Sequence, residues 1–185
     1  IHNAAKRLLH SLQKYLFFAE LEVILSDADK ITKARHSRFQ IKQQEVRAAV
    51  ATIPESVERQ EDIHVEVSPA LICISENSLY RLIEELVENA LRFSPAGTPV
   101  FVHGEPLREK GLYKIEVMDE GKGMTPEQVA GLGGYVNKER KVYPSQRSGL
   151  GLEIVGRILD IYQGMVSIQS EPGSWTKVEV FLRLG

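Results

Sequence analysis

In the stretch ELVENALRFSP, Glu85, Asn89 and Arg92 are spaced i, i+4, i+7. On a helix that spacing aligns a carboxylate, an amide and a guanidinium along one stripe. An Asn amide oxygen ligates a hard cation such as Mg²⁺, a Glu orders or deprotonates a nucleophile, and an Arg neutralises phosphate charge. The same three residues also make an ordinary helix edge with an ion pair. Further along, DEGKGM offers Asp119 followed by Gly121 and Gly123. A carboxylate there accepts a hydrogen bond from an exocyclic amine, and glycines let a planar ring lie against the backbone, although a tight acidic turn has the same composition. Gly149 and Gly151 in SGLGLEIV open a helical pattern, where backbone N–H groups suit an anion or simply make a tight entry turn. Four such features in this order, with a basic loop before the last, are hard to reconcile with independent structural accidents.

The elements that must hold these residues are legible from periodicity. Residues 76–93 carry Leu79, Leu82, Ile83, Leu86 and Ala90 at helical spacing, ended by Pro95 and Gly97. The Glu85 stripe borders that apolar face, and Glu84 and Glu88 are expected on the side opposite it. Strands are expected at IHVEV (63–67) and in PVFVHGEP and LYKIEVMD on either side of REKG (108–111), the latter two forming a hairpin, with a short apolar run at LICI (71–74). Residues 125–148 predict a short helix and a mobile loop, followed by a helix over 150–162 and strands over 165–171 and 176–184. Residues 26–62 are polar and mixed, with a helix expected around 40–51. At the start, Ile1, Ala5, Leu8, Leu12, Tyr15 and Ala19 step by four and three, beside a second column of Leu9, Leu16 and Val23. This is the seam of a bundle helix over 1–25, expected to pack against another copy of the chain. The whole reads as an α+β domain, a two-layer sandwich with helices on one face of a mixed, mainly antiparallel sheet, preceded by the bundle helix.

Composition narrows the partners. With 23 Lys and Arg against 25 Asp and Glu and no long basic block, neither a nucleic acid nor an anionic membrane is favoured, whereas a compact anion remains open. The one cysteine, Cys73, precludes an intrachain disulfide and reads as a core residue of ALICI. No apolar stretch has the length of a membrane span and no signal peptide is present, so no direct membrane contact is expected here. The sequence begins at Ile rather than Met; we read it as a fragment, with any membrane or sensory part lying outside it.

The three boxes in order resemble the ATP-binding catalytic domain of sensor histidine kinases, a fold of the Bergerat type shared with type II topoisomerases, Hsp90-type chaperones and MutL-type repair proteins. ELVENALRFSP is similar to the N box, DEGKGM to the G1 box and RSGLGLEIV to the G2 box, while GMVSIQSEPGSWTKVEVFLRL looks like the last two strands. The resemblance implies ATP and Mg²⁺ as ligands, with Asn89 as the metal ligand, Arg92 near phosphate and Asp119 on the adenine amine. It implies Gly121 and Gly123 beside the adenine pocket and Gly149 and Gly151 under the phosphates. It also carries Phe93, Met124, Ser148, Leu150, Leu152 and Thr176 into the nucleotide-binding set. The segment 130–147 becomes the ATP lid, with Lys138, Arg140 or Arg147 open as the γ-phosphate contact and Tyr135 as its aromatic anchor. Glu85 takes a catalytic position, open between orienting the acceptor and helping to hold the metal.

By the same resemblance, 1–30 is the C-terminal helix of an incomplete dimerisation and phosphoacceptor hairpin, 31–59 a connection with the first helix of the ATPase domain, and 60–185 the catalytic domain. The expected activity is that of a protein histidine kinase in cytoplasmic two-component signalling, acting as a homodimer through the N-terminal helix and with a response-regulator receiver domain as partner. The chain departs from the pattern in lacking the phosphoacceptor His: His2 and His10 read as helix-surface or bundle residues, and His36, His64 and His103 as structural. Ser174 and Trp175 stand where a Gly is usual, which reads as a tolerated variation with Trp175 packing at the sheet edge. Two other functions remain: a nucleotide-controlled interaction module without kinase activity, and a serine kinase or ATPase of the same superfamily.

Overall fold

The computed structural model describes residues 2–132 and 149–185. The N-terminal helix, α1 (His2–Leu25), is followed by α2 (Ala28–Arg35), β1 (Phe39–Ile41) and α3 (Gln43–Ala51). The expected helix around 40–51 is therefore a short strand and then a helix. The Asp27 carboxylate accepts from the Asp29 and Lys30 amides and so starts α2 within a segment that lacks an apolar pattern. Next come β2 (Ile63–Val67) and β3 (Ala70–Ile72), then α4 (Glu76–Phe93), capped by the Ser75 hydroxyl on the Ser78 amide. β4 (Val100–Leu107) and β5 (Leu112–Asp119) form the hairpin, turning through Gly111 in the left-handed region (φ 64°). α5 (Pro126–Gly131), α6 (Leu150–Tyr162), β6 (Met165–Glu171) and β7 (Trp175–Arg183) complete the chain.

Five strands form one sheet in the order β2-β4-β5-β7-β6, parallel between β2 and β4 and antiparallel elsewhere. The LICI run leaves this sheet: β3 pairs with β1, antiparallel, in a separate two-stranded ribbon, and touches the end of the chain through a single antiparallel bridge between Ile72 and Leu184. Strict alternation in β5 sends Tyr113, Ile115, Val117 and Asp119 to the covered face. There α4 and α6 lie across the sheet, with Leu79, Leu82, Ile83, Ile154 and Ile158 fully buried between the layers. The result is the expected two-layer α+β sandwich. Cys73 is half-buried rather than core, its thiol directed at the Leu184 carbonyl, because LICI crosses the rim of the domain.

One expectation about helix faces is corrected. Glu84 and Glu88 are buried, not exposed on a far side of α4. α3 covers one flank, where the Thr52 hydroxyl meets Glu84, and α1 covers the other. α1 docks through His10, Lys14, Phe17 and Leu21, spaced i, i+4, i+7, i+11, of which Phe17 and Leu21 enter the core. The columns read as a seam, Leu8, Leu12 and Tyr15 beside Leu9, Leu16 and Val23, face outward.

Candidate functional site

A cleft of about 950 Å³ opens between α4, the end of β5, α5 and the N-terminus of α6. Of the residues singled out in the sequence, Glu85, Asn89, Arg92 and Phe93 line it from α4, and Asp119, Gly123 and Met124 from β5 and the turn after it. Gly149, Leu150, Gly151 and Leu152 line it from the start of α6, and Thr176 from β7. Gly121 stands behind this wall. Tyr135, Lys138, Arg140, Arg147 and Ser148 lie outside the described residues.

At one end sits Asp119, at the buried terminus of β5. Burial pushes its pKa up to about 6, against the opposing pull of the Gly121 amide and the more distant Arg59 charge. Its Oδ1 is buried without a hydrogen-bond partner among the described residues. An orphaned acceptor of this kind is costly unless a ligand donor completes it. The turn that follows is sewn to its neighbours: the Lys122 amide donates to the Phe93 carbonyl (3.2 Å), and the Gly173 amide to the Lys122 carbonyl (2.7 Å). A Cβ on Gly121 would overlap the Phe93 carbonyl, and one on Gly123, already at φ +59°, would overlap the Glu171 carbonyl. The Met124 amide donates to Ser170 Oγ (2.8 Å), which also meets Thr176 Oγ1 (2.9 Å), so β6 and β7 brace this wall.

The other end is charged. Gly149 starts α6 without a side-chain cap, so among the described residues no side chain caps the first turn, whose N–H groups suit an anion. Around Gly149 there is open space among the described residues, so none of them demands a glycine there. For Gly151 the requirement is different from the one read in the sequence: a Cβ would lie 2.6 Å from Glu85 Oε2, so this glycine lets α6 approach α4. Glu85 is 1% exposed, and its pKa is raised because burial outweighs the neighbouring Lys14 ammonium. Burial also pushes Glu88 upward, but hydrogen bonds from His10 and Lys14 and the charges of Lys14 and Arg92 prevail and hold it at about 2.

Sequence reasoning missed three contributors to this end. Lys14 Nζ lies 2.6 Å from Glu85 Oε2 and 2.5 Å from Glu88 Oε2. His10 Nε2 lies 3.2 Å from Glu88, so His10 is a cleft residue and not a surface or bundle one. Glu88 also receives Arg92. The available signal was the polar pair His10 and Lys14, four apart and in phase with Phe17 and Leu21. Arg59 was missed as well. It donates to the carbonyls of Leu91 (2.7 Å), Ser94 (3.0 Å), Pro95 (2.8 Å) and Thr98 (3.2 Å) and pairs with Asp62 (2.6 Å), thereby fixing the C-terminus of α4 from which Arg92 and Phe93 project. Outside the cleft, His36 bonds the Thr32 carbonyl, His64 stacks on Phe101, and Trp175 reaches Glu171 across the β6–β7 hairpin.

Among the described residues no cluster of three His, Cys, Asp or Glu side chains could hold a metal. A cation here would take Asn89 as its protein ligand and the rest of its shell from phosphate and water, a donor set that suits Mg²⁺.

Comparison with known proteins agrees with this geometry. Over its full length the structure resembles the histidine kinase AdeS of Acinetobacter baumannii, with a TM-score of 0.67 at 17% identity, covering 99% of this chain and 81% of that one. It resembles equally a structure described as full-length ShkA in complex with AMPPNP, with a TM-score of 0.68 at 21% identity, covering 98% of this chain and 37% of that one. In sequence it is 25% identical over 184 residues to sporulation kinase E of Bacillus subtilis, covering 98% of this chain and 23% of the kinase. It is 34% identical over 108 residues to the histidine protein kinase DivJ of Caulobacter vibrioides, covering 57% of this chain and 17% of DivJ. The chain thus spans less than a quarter of either curated relative. Residues 74–185, more than half of the chain, match the family described as histidine kinase-, DNA gyrase B- and HSP90-like ATPases. With its three boxes gathered around one cleft, the chain belongs to that family, as an ATP-binding domain of the sensor histidine kinase kind.

Proposed function

We propose that this chain binds Mg-ATP in the cleft and serves a homodimeric cytoplasmic histidine kinase, which passes the γ-phosphoryl group to a histidine outside this sequence and then to an aspartate of a response-regulator receiver domain. The observation that carries the nucleotide reading is the buried Oδ1 of Asp119, unpartnered among the described residues, in the same cleft as Asn89 and the N-terminus of α6. Asp119 accepts the adenine amine, and Gly123 and Met124 lie along the ring. Asn89 holds the metal, Arg92 and the α6 amides neutralise phosphate charge, and Glu85 orients the acceptor. Bound Mg²⁺ would supply charge neutralisation to the phosphates. Phosphoryl transfer asks a protein mainly for such positioning and neutralisation. In the first step the β–γ P–O bond breaks, ADP departs and a P–N bond forms on the histidine. In the second, P–N breaks and an acyl phosphate forms on the receiver aspartate. α1 pairs with a second copy through its outward columns.

A calorimetric titration with a non-hydrolysable ATP analogue, with and without Mg²⁺, tests the site. Metal-strengthened binding that disappears in Asp119→Asn is expected; no binding by the unaltered chain would overturn the nucleotide reading. The transfer step is tested on the longer protein with labelled ATP, which should acquire acid-labile label.

A further inference from the structure

Helix α1 precedes the stretch 74–185 that matches the ATPase family, yet His10, Ser11, Lys14 and Tyr15 line the same cleft. Lys14 is 9% exposed, and its ammonium bridges two buried carboxylates of α4, at 2.6 Å from Glu85 and 2.5 Å from Glu88. Glu88 immediately precedes Asn89, and the Gly151 Cβ position lies 2.6 Å from Glu85 and 3.7 Å from the Asn89 amide. The two acids therefore stand at the end of the cleft where a polyphosphate meets Asn89 and the α6 amides. Lys14 and Arg92 balance them charge for charge. Without Lys14, a polyanionic ligand would meet an acidic wall in a poorly solvated place, where like charges repel strongly.

We propose that Lys14 of α1 is part of the nucleotide site, as the counter-charge that makes the acidic end of the cleft compatible with a polyphosphate. This deepens the nucleotide reading and rests on it. An ammonium has three donors; two go to Glu85 and Glu88, which leaves a third for a phosphate oxygen. A role in folding alone would affect every adenine ligand alike, whereas a counter-charge acts in proportion to the phosphates carried.

The test is calorimetric titration of adenosine, ADP and a non-hydrolysable ATP analogue into the unaltered chain, Lys14→Met, Glu88→Gln and the double variant, at constant salt. Lys14→Met should weaken the triphosphate about tenfold, ADP less, and adenosine not at all, the scale of one unit charge acting on a partly hydrated anion. The double variant should recover most of the loss, since it removes an acid together with its counter-ion. If Lys14→Met fails to fold because its buried acids are left without their counter-charge, Glu88→Gln alone decides: it should tighten the triphosphate and leave adenosine unchanged. A triphosphate affinity unchanged in Lys14→Met, a loss equal for adenosine, or an unchanged triphosphate affinity in Glu88→Gln would overturn the proposal. Failure of the unaltered chain to bind any of the three would sink the nucleotide reading and this inference with it. Normal binding with unaltered phosphate preference in the variants would sink the inference only.

Discussion

Asp119 is asked for two things that conflict. Burial raises its pKa from 3.8 to about 6, so folding favours the protonated form, while the proposed acceptance of an adenine amine is strongest for the carboxylate. A folded pKa above the unfolded one means that ionised Asp119 weighs against the fold above pH 6, by roughly 3 kcal/mol for a shift of about two units, and that this cost is relieved as pH falls towards 4. Nucleotide affinity should move the other way, falling as pH drops through about 6, by up to about tenfold per unit. Titrations between pH 5 and 8 check this, and a flat profile would remove Asp119 from the site. The same conflict predicts that Asp119→Asn abolishes binding yet raises Tm by several degrees at pH 8, and by only about a third as much at pH 4.5, where most of the cost of the buried charge is already relieved. Thermal scans at the two pH values distinguish this from a simple loss of packing, which would lower Tm at both. Glu88 has the opposite sign: held at about 2 by His10, Lys14 and Arg92, it stabilises the fold above its ordinary pKa and loses that contribution only as pH falls towards 2.

Among the elements, the C-terminus of α4 and the turn after β5 frame the Asp119 side of the cleft, and both are held by contacts that no periodicity announces. Arg59→Ala should cost about 3 kcal/mol, because four carbonyls between Leu91 and Thr98 lose the guanidinium at once, although Pro95 keeps the Thr98 amide and hydroxyl as donors; chemical denaturation measures it, and a loss below about 1 kcal/mol would show that water replaces the guanidinium. Gly123→Ala should cost about as much, since the new Cβ meets the Glu171 carbonyl at a φ that disfavours side chains. What the sequence made legible follows the same division. α4, α6 and the β4–β5 hairpin carry long apolar patterns, so these elements could be read directly, whereas the gathering of Asn89, Asp119 and Gly149 in one cleft came from the resemblance of the three boxes to histidine kinase domains. β1 and α2 could not, because the ribbon is three residues long and α2 buries nothing fully. The faces of Glu84 and Glu88 were misread because a helical wheel treats charge as a mark of solvent, whereas here Thr52 and Lys14 arrive from distant segments to satisfy them.

At the scale of the whole molecule, α1 has two working faces. Its His10–Lys14–Phe17–Leu21 stripe is spent on the chain's own catalytic layer, aided by the Arg157–Glu22 ion pair. Leu8, Leu9, Leu12, Tyr15, Leu16 and Val23 are each more than half exposed, a contiguous apolar column that a solitary domain would leave in water at about 25 cal/mol per Å². Its four-three spacing is that of a helix pairing with a helix, so a second copy covers it and meets the rim of the cleft at Tyr15. The chain should then sediment above its monomer mass of 20.8 kDa at micromolar concentration. Leu12→Glu combined with Leu16→Glu should return it to monomer, because two charges set into the seam repel their symmetry mates. Neither leucine lines the cleft, so the monomeric variant should keep its affinity for the ATP analogue, which separates loss of pairing from loss of fold. An unaltered chain that stays at 20.8 kDa at every concentration would overturn pairing through α1. A double variant that loses pairing and nucleotide together would mean that the docked stripe depends on the outer one, and that the two faces of this helix act as a single unit.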